Sequence, residues 1–237
     1  MGRRGGAAAR GSIAAFVAFA TLAVLASNAY AAATTNKAEW YTGSTFTTLT
    51  GKQVLTASAA EKIELAFPFG GLAIKMRANS ASCIECSITN EASGHLGVAT
   101  GTGRLLFSEA FFLEATTCKF KEDKITSQPL LFEAHYTEGE RWLVKISPVS
   151  GETDLTLNIE ANKPGDICPF EGSGTPVKGA NFGEFKSKTG VFAVEQPVNF
   201  SLPISEEAGS NWTFGSQRFA VTGTLNLKAG GNTFGVK

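Results

Sequence analysis

Histidine is nearly missing from this chain. The 237 residues hold two, His95 and His135. A hydrolytic triad needs a nucleophile, a histidine base and an acid that orients it. His95 follows Ser93-Gly94 in a turn-like stretch, and His135 sits inside the run Leu130 to Tyr136. No Gly-x-Ser-x-Gly elbow accompanies either. Both read as surface residues rather than catalytic bases. Aspartate is also scarce, three against eighteen glutamates. A glycosidase sets its two carboxylates by the fold and not by a local motif, so a glutamate pair stays open. The alternation of the chain instead places Glu64, Asp154 and Glu160 on the wet faces of strands. Calcium-binding EF-hand loops and phosphate-binding glycine motifs are absent. Gly101-Thr102-Gly103 reads as a turn and not a nucleotide loop, because the sequence after it has no helical pattern. The expectation is a protein with no catalytic residues, no metal and no cofactor.

Clustered positive charge is lacking too. Residues 32–237 carry 18 basic and 21 acidic side chains, a net charge of −3. Nucleic acid and anionic membrane surfaces both select for clustered Lys and Arg, so neither is an expected partner. Long apolar runs are lacking after residue 31. The one before it, Ile13 to Ala26, is 14 residues, short of the roughly 20 that span a bilayer as a helix. The first cysteine is Cys83, far from the small-x-small site Ala29-Tyr30-Ala31, so a lipid-modified N-terminal cysteine is not expected. The last residues, Gly231 to Lys237, contain no hydrophobic tail or sorting signal.

What is present at the start is Arg3, Arg4 and Arg10, then the short apolar run, then Ala29-Tyr30-Ala31. A basic region, a short apolar core and a small-x-small site make a secretory signal peptide. Residues 1–31 are read as that leader and 32–237 as a single all-β domain. The Arg3-Arg4 pair raises the twin-arginine route. Gly5-Gly6 follow it where apolar residues belong, which favours the general route. The expected location is secreted, extracellular or in the cell envelope, with no transmembrane segment in the mature chain.

Four cysteines remain: Cys83, Cys86, Cys118 and Cys168. An even count in an exported chain reads as two disulfides. Cys83-Ile84-Glu85-Cys86 also has the spacing of a redox pair or half a zinc site. A redox pair opens a helix whose N-terminus lowers the thiol pKa, and the residues after Cys86 look like strand. Among the three pairings, long-range bridges are preferred over a local 83–86 link, because a longer closed loop restricts the unfolded chain more.

Alternation of period two runs through the rest. Ile63, Leu65, Phe67 and Phe69 share a face, as do Leu72, Ile74 and Met76. Trp142, Val144 and Ile146 repeat the pattern, then Leu155, Leu157 and Ile159, then Phe219, Val221, Leu225 and Leu227. Such segments bury one face and wet the other, which predicts antiparallel sheets. Gly70-Gly71, Gly101, Gly103, Gly151, Gly165 and Gly230-Gly231 punctuate them. The predicted architecture is an antiparallel β-sandwich, with a closed β-barrel as the alternative. Helix is predicted only as one turn, Ser205 to Ala208; capping-box spacing at Ser58–Glu61 competes with the cleaner alternation from Lys62.

Aromatic residues supply the one binding lead. Trp40 and Trp212 stand in polar surroundings and are the candidates for a flat platform that stacks on sugar rings. Trp142 alternates with core residues and is read as packing.

The segment from Gly71-Leu72-Ala73-Ile74 to the paired cysteines carries a resemblance, together with Gly101-Thr102-Gly103, Thr117-Cys118-Lys119, Ile146 to Gly151 and Cys168 to Gly172. In these stretches the chain resembles a broad set of exported, functionally uncharacterised β-rich proteins of high-GC Gram-positive bacteria. The resemblance implies a secreted or envelope location and an all-β fold. The expected function is a non-catalytic structural or surface-binding protein, with a cell-wall or extracellular glycan as the partner considered. The alternatives are an extracellular carbohydrate-active hydrolase, or a small-ligand carrier if the sheet closes around a hollow interior.

Overall fold

The computed structural model describes residues 38–236, apart from 44, 46, 93–94, 138–140 and 187–192. The leader expected at 1–31 lies outside the described residues. Among the described residues strand makes up 66% and helix 5%, so the all-β class holds. In chain order the elements are β1 (Trp40–Thr42), β2 (Thr47–Thr48), β3 (Gln53–Ala59), β4 (Ile63–Phe69), β5 (Leu72–Ala92), β6 (His95–Phe112) and β7 (Cys118–Phe120). A 3-10 turn (Lys121–Asp123) leads to β8 (Lys124–Ser127), β9 (Leu130–Thr137), β10 (Arg141–Pro148), β11 (Thr153–Ala161), β12 (Gly172–Lys178), β13 (Asn181–Phe185) and β14 (Gln196–Phe200). Helix α1 (Leu202–Glu207), β15 (Thr213–Phe214), β16 (Gln217–Arg218), β17 (Ala220–Ala229) and β18 (Phe234–Val236) complete the chain.

Of the two expected architectures, the sheet takes the closed one. Eight strands pair antiparallel in the ring β3-β5-β6-β9-β10-β13-β14-β17 and back to β3. Closure leaves the ring no free edge for another chain to pair with. Inside it, Leu55, Ile88, Phe132, Val144, Ile146, Val198, Phe200 and Leu225 meet. An eight-stranded ring is just wide enough for side chains to fill it.

The hairpin of β5 and β6 is longer than the barrel needs. Residues 82–88 of β5 pair with β3 inside the ring, while 72–78 pair with β4 beyond it. β6 divides likewise: 100–103 pair with β9 and 106–108 with β8. A second lobe grows on this extension, in the order β4-β5-β6-β8-β11-β12-β15-β16, with β7 added on β11. β17 serves both lobes, pairing with β4 at 220–222 and with β3 at 225–229. It changes partner at Gly223, where φ is +137° and an added Cβ would lie 2.6 Å from Ile63 Cδ1. Any other residue there is strained twice over, by backbone and by contact.

The second lobe is filled with phenylalanine. Phe67, Phe112, Phe120, Phe170 and Phe219 are all buried, and Phe112 stacks on Phe120 with centroids 4.7 Å apart. One contiguous apolar core runs through both lobes.

Most of the alternation places residues as expected, with three exceptions; one is Thr224, expected on the wet face of its strand and 2% exposed, next to the change of partner at Gly223. Phe69 and Leu72 were assigned to inward faces but are 47% and 71% exposed, because the β4–β5 hairpin outruns the core at its tip. Asp154 was assigned to a wet face but is fully buried. A register shift between Thr153 and Leu155 turns both Asp154 and Leu155 inward, so the two-residue period breaks there. The expected helical turn exists and starts earlier. Ser201 caps α1 by accepting from the Ile204 N–H at 3.4 Å. Pro203 sits in the first turn, where its missing N–H leaves no bond unmade.

Candidate functional site

Trp40 is 2% exposed and closes one end of the barrel. Asn90 holds its backbone from both sides: Oδ1 accepts from the Trp40 N–H at 2.6 Å, and Nδ2 donates to the Trp40 carbonyl at 2.8 Å. The indole N–H donates to the Thr100 carbonyl at 2.9 Å. Phe185 and Phe234 pack against the ring at 6.0 and 6.2 Å. Trp212 is also 2% exposed. Its indole N–H donates to Asp154 Oδ2, and Phe219 meets it edge-on at 5.8 Å. Neither ring offers a face to solvent. The sugar platform expected at Trp40 and Trp212 is therefore corrected: both tryptophans plug the interior, each spending its polar edge on an internal acceptor. Their polar neighbours in sequence cap and turn the chain around them and do not mark exposure.

Asp154 is the unusual group that results. Its second oxygen, Oδ1, is buried without a hydrogen-bond partner. Burial pushes its carboxyl up to about 7, only partly offset by the Trp212 hydrogen bond. A carboxyl poised near neutrality suits acid–base chemistry, but this one is 0% exposed, so no substrate reaches it. The sequence carried no sign of it beyond the rarity of aspartate.

The barrel interior holds a space of about 30 Å³ lined by apolar side chains, Trp40, Phe132 and Phe200 among them. That is room for a water or two and far less than a drug-sized ligand occupies. A second space of about 10 Å³ lies where Trp212, Asn181 and Phe107 meet between the lobes.

On the barrel's outer wall, Arg141 makes two bonds to Glu184, at 2.8 and 2.9 Å, and a third to Glu207 at 2.6 Å. Lys145 pairs with Glu133 at 3.3 Å. These carboxylates are engaged by cations, as structural pairs are. His135 lies beside them, opposite Leu143. Burial lowers its pKa; Glu133 pushes it up and Lys145 pushes it down. Its Nε2 is buried with no partner. Among the described residues no group of three His, Cys, Asp or Glu side chains is arranged to hold a metal.

All four cysteines are bonded, as Cys83–Cys86 and Cys118–Cys168. The preference for long-range pairing is corrected for the first. A register shift between Ile84 and Ser87 gives β5 a bulge, and Glu85 at φ +53° turns the chain so that Cys83 and Cys86 Cα atoms lie 5.7 Å apart. The bridge presses on the neighbouring strand at Gly103, where an added Cβ would fall 2.0 Å from Cys86 Sγ. The second bridge ties the 162–171 loop to the start of β7.

No helix among the described residues is long and apolar enough to cross a membrane. No family model, curated protein or solved structure matches this chain.

Proposed function

We propose that this chain is a secreted or envelope-associated, non-catalytic β-protein whose work is done by its outer surface, in a structural or surface-binding role. The observation that supports this reading is the filled interior. Both lobes are packed to the centre, and the 30 Å³ space in the barrel is apolar and too small for a carried ligand. Two disulfides fit an oxidising compartment, where such bridges persist. The cell-wall or extracellular glycan considered from the sequence remains the partner to try, now without Trp40 and Trp212 as its platform.

Expressing the full chain in an exporting bacterium tests the reading. The expected product lies outside the cytoplasm, starts at Ala32 and is lighter than its reduced form by two bridges' worth of hydrogen. An uncleaved, reduced cytoplasmic product would overturn it. Incubated with purified cell-wall glycan, the protein is expected to release no reducing ends. Release that disappears in a Glu→Gln variant would put the carbohydrate-active hydrolase in its place.

A further inference from the structure

We propose that the tip of the second lobe, Phe69-Gly70-Gly71-Leu72 together with Ile167, is a docking surface for a neutral lipid layer. The idea rests on the exported, surface-working reading above and names its partner.

The tip is a protrusion. β4 and β5 meet in a two-residue turn at Gly70-Gly71, with φ of +58° and +83°, and a Cβ added at either would touch nothing within 4 Å. Two positive φ values in sequence give the turn that matches the twist of the flanking strands. From Pro68 to Ala73 six consecutive residues are uncharged and exposed. Phe69 is 47% exposed, Leu72 71% and Ile167 84%.

The presentation is rigid. Phe69 packs edge-on against Phe170 at 4.8 Å, and Phe170 in turn meets Phe67 at 5.5 Å. The turn closed by the Glu171 N–H on the Cys168 carbonyl, 3.1 Å, joins Phe170 to Cys168. The bond from Cys168 to Cys118 then fixes the loop that carries Ile167. Phe69 is held outward by this packing, and the loop that carries Ile167 is tied down at Cys168.

Area and charge choose the occupant. The three side chains expose roughly 350 Å² between them, taking about 150–250 Å² for a bare side chain of this class. A stable protein partner buries about 800 Å² on each side, so a second copy of the chain finds too little here. A lipid layer needs no matching shape and covers a convex tip completely. Behind the tip stand two bases, Lys75 and Lys163, and three acids, Glu114, Asp166 and the exposed Glu171; Glu114 and Asp166 accept from the Lys75 and Lys163 backbone N–H groups at 3.1 and 3.0 Å. A rim with one acid in excess draws nothing from anionic headgroups and leaves zwitterionic ones as the fit.

Co-sedimentation of the purified oxidised protein with phosphatidylcholine vesicles tests the proposal. The wild type is expected to sediment with the vesicles, equally with or without added phosphatidylglycerol and at low or high salt. Leu72→Asp with Ile167→Asp is expected to lower the bound fraction roughly tenfold with an unchanged melting temperature, since both side chains pack on little. Val54→Asp, at an exposed apolar position on the barrel, is expected to bind as wild type. Failure of the wild type to sediment would overturn the proposal. So would full binding by the double variant, or binding that requires phosphatidylglycerol. A concentration-dependent dimer in sedimentation velocity, lost in the double variant, would assign the tip to a second copy instead. None of these outcomes touches leader cleavage or the bridges, on which the underlying reading stands or falls.

Discussion

The two lobes are stabilised in different ways although they share strands. The barrel is a closed ring lined largely by aliphatic side chains, plugged by a tryptophan that bonds a backbone carbonyl. The second lobe is an unclosed curl filled with phenylalanine, plugged by a tryptophan that bonds a buried carboxyl. Their bridges differ too. The barrel's spans three positions of one strand, and the other lobe's spans fifty residues. A closed ring is held at every edge by its neighbours. The second lobe is held by neighbours at its β4 end, where β17 pairs, and ends at the two-residue β16 on the other side, where a plug and a distant bond add to the holding. The pH-sensitive groups also oppose one another. His135 on the barrel wall is kept neutral by burial, so its share of stability is present above its unfolded pKa of 6.5 and is lost on acidification. Asp154 in the second lobe is favoured in its protonated form, so its share is lost as pH rises.

The sharpest way to break this comparison is to remove the plugs. Trp40→Ala and Trp212→Ala are each expected to destabilise by about 3–5 kcal/mol in urea titrations, as large-to-small changes in cores do. If either change is nearly neutral, that tryptophan is not a plug.

The next effect is the pH profile. The Asp154 carboxyl titrates at 3.8 unfolded and about 7 folded. Stability from this group is complete below pH 3.8 and falls until about pH 7, by up to about 4 kcal/mol in total. Asp154→Asn keeps an acceptor for Trp212 and cannot ionise, so its melting temperature between pH 4.5 and 8 is expected to lose this slope. An identical slope in both proteins would show that Asp154 is hydrated in the fold.

The smallest difference separates the bridges. Replacing Cys118 and Cys168 by serine is expected to cost about 4 kcal/mol, and replacing Cys83 and Cys86 below about 2, because the closed loops differ so much in length. Equal losses would mean that the bulge at Glu85, and not chain entropy, sets the worth of the local bridge.

Much of the fold could be read in the sequence, and the site could not. Period-two alternation placed Ile63, Leu65, Trp142, Val144, Leu155 and Leu157 inward, where they are. That signal is local, and each strand carries its own copy. Closure of the sheet depends on which strands find each other across the chain, and no single strand reports that. The bulges are equally silent. One of them buries Asp154, and another folds Cys83 back on Cys86. Both arise from an extra residue in the ladder, which alternation cannot register. Trp40 and Trp212 misled for a different reason. Their polar neighbours, Asn211 for example, bond to the backbone: Asn211 Oδ1 accepts from the Ala180 N–H at 2.6 Å. Composition alone makes such residues look wet.

The ring has one seam that joins an early strand to a late one. β3 lies near the start of the described residues and β17 near their end, and they pair from Leu225 opposite Ala59 to Ala229 opposite Leu55. Gln53 even donates across it to the Ala229 carbonyl, 176 positions away. Contacts of such long range slow the search for the native state. A chain emerging N-terminus first can pair β3 with β5 early, but must leave the other edge of β3 unpaired until β17 has appeared. During that interval the early strands expose their edges to every neighbour, which makes assembly, rather than the finished molecule, the stage most open to aggregation.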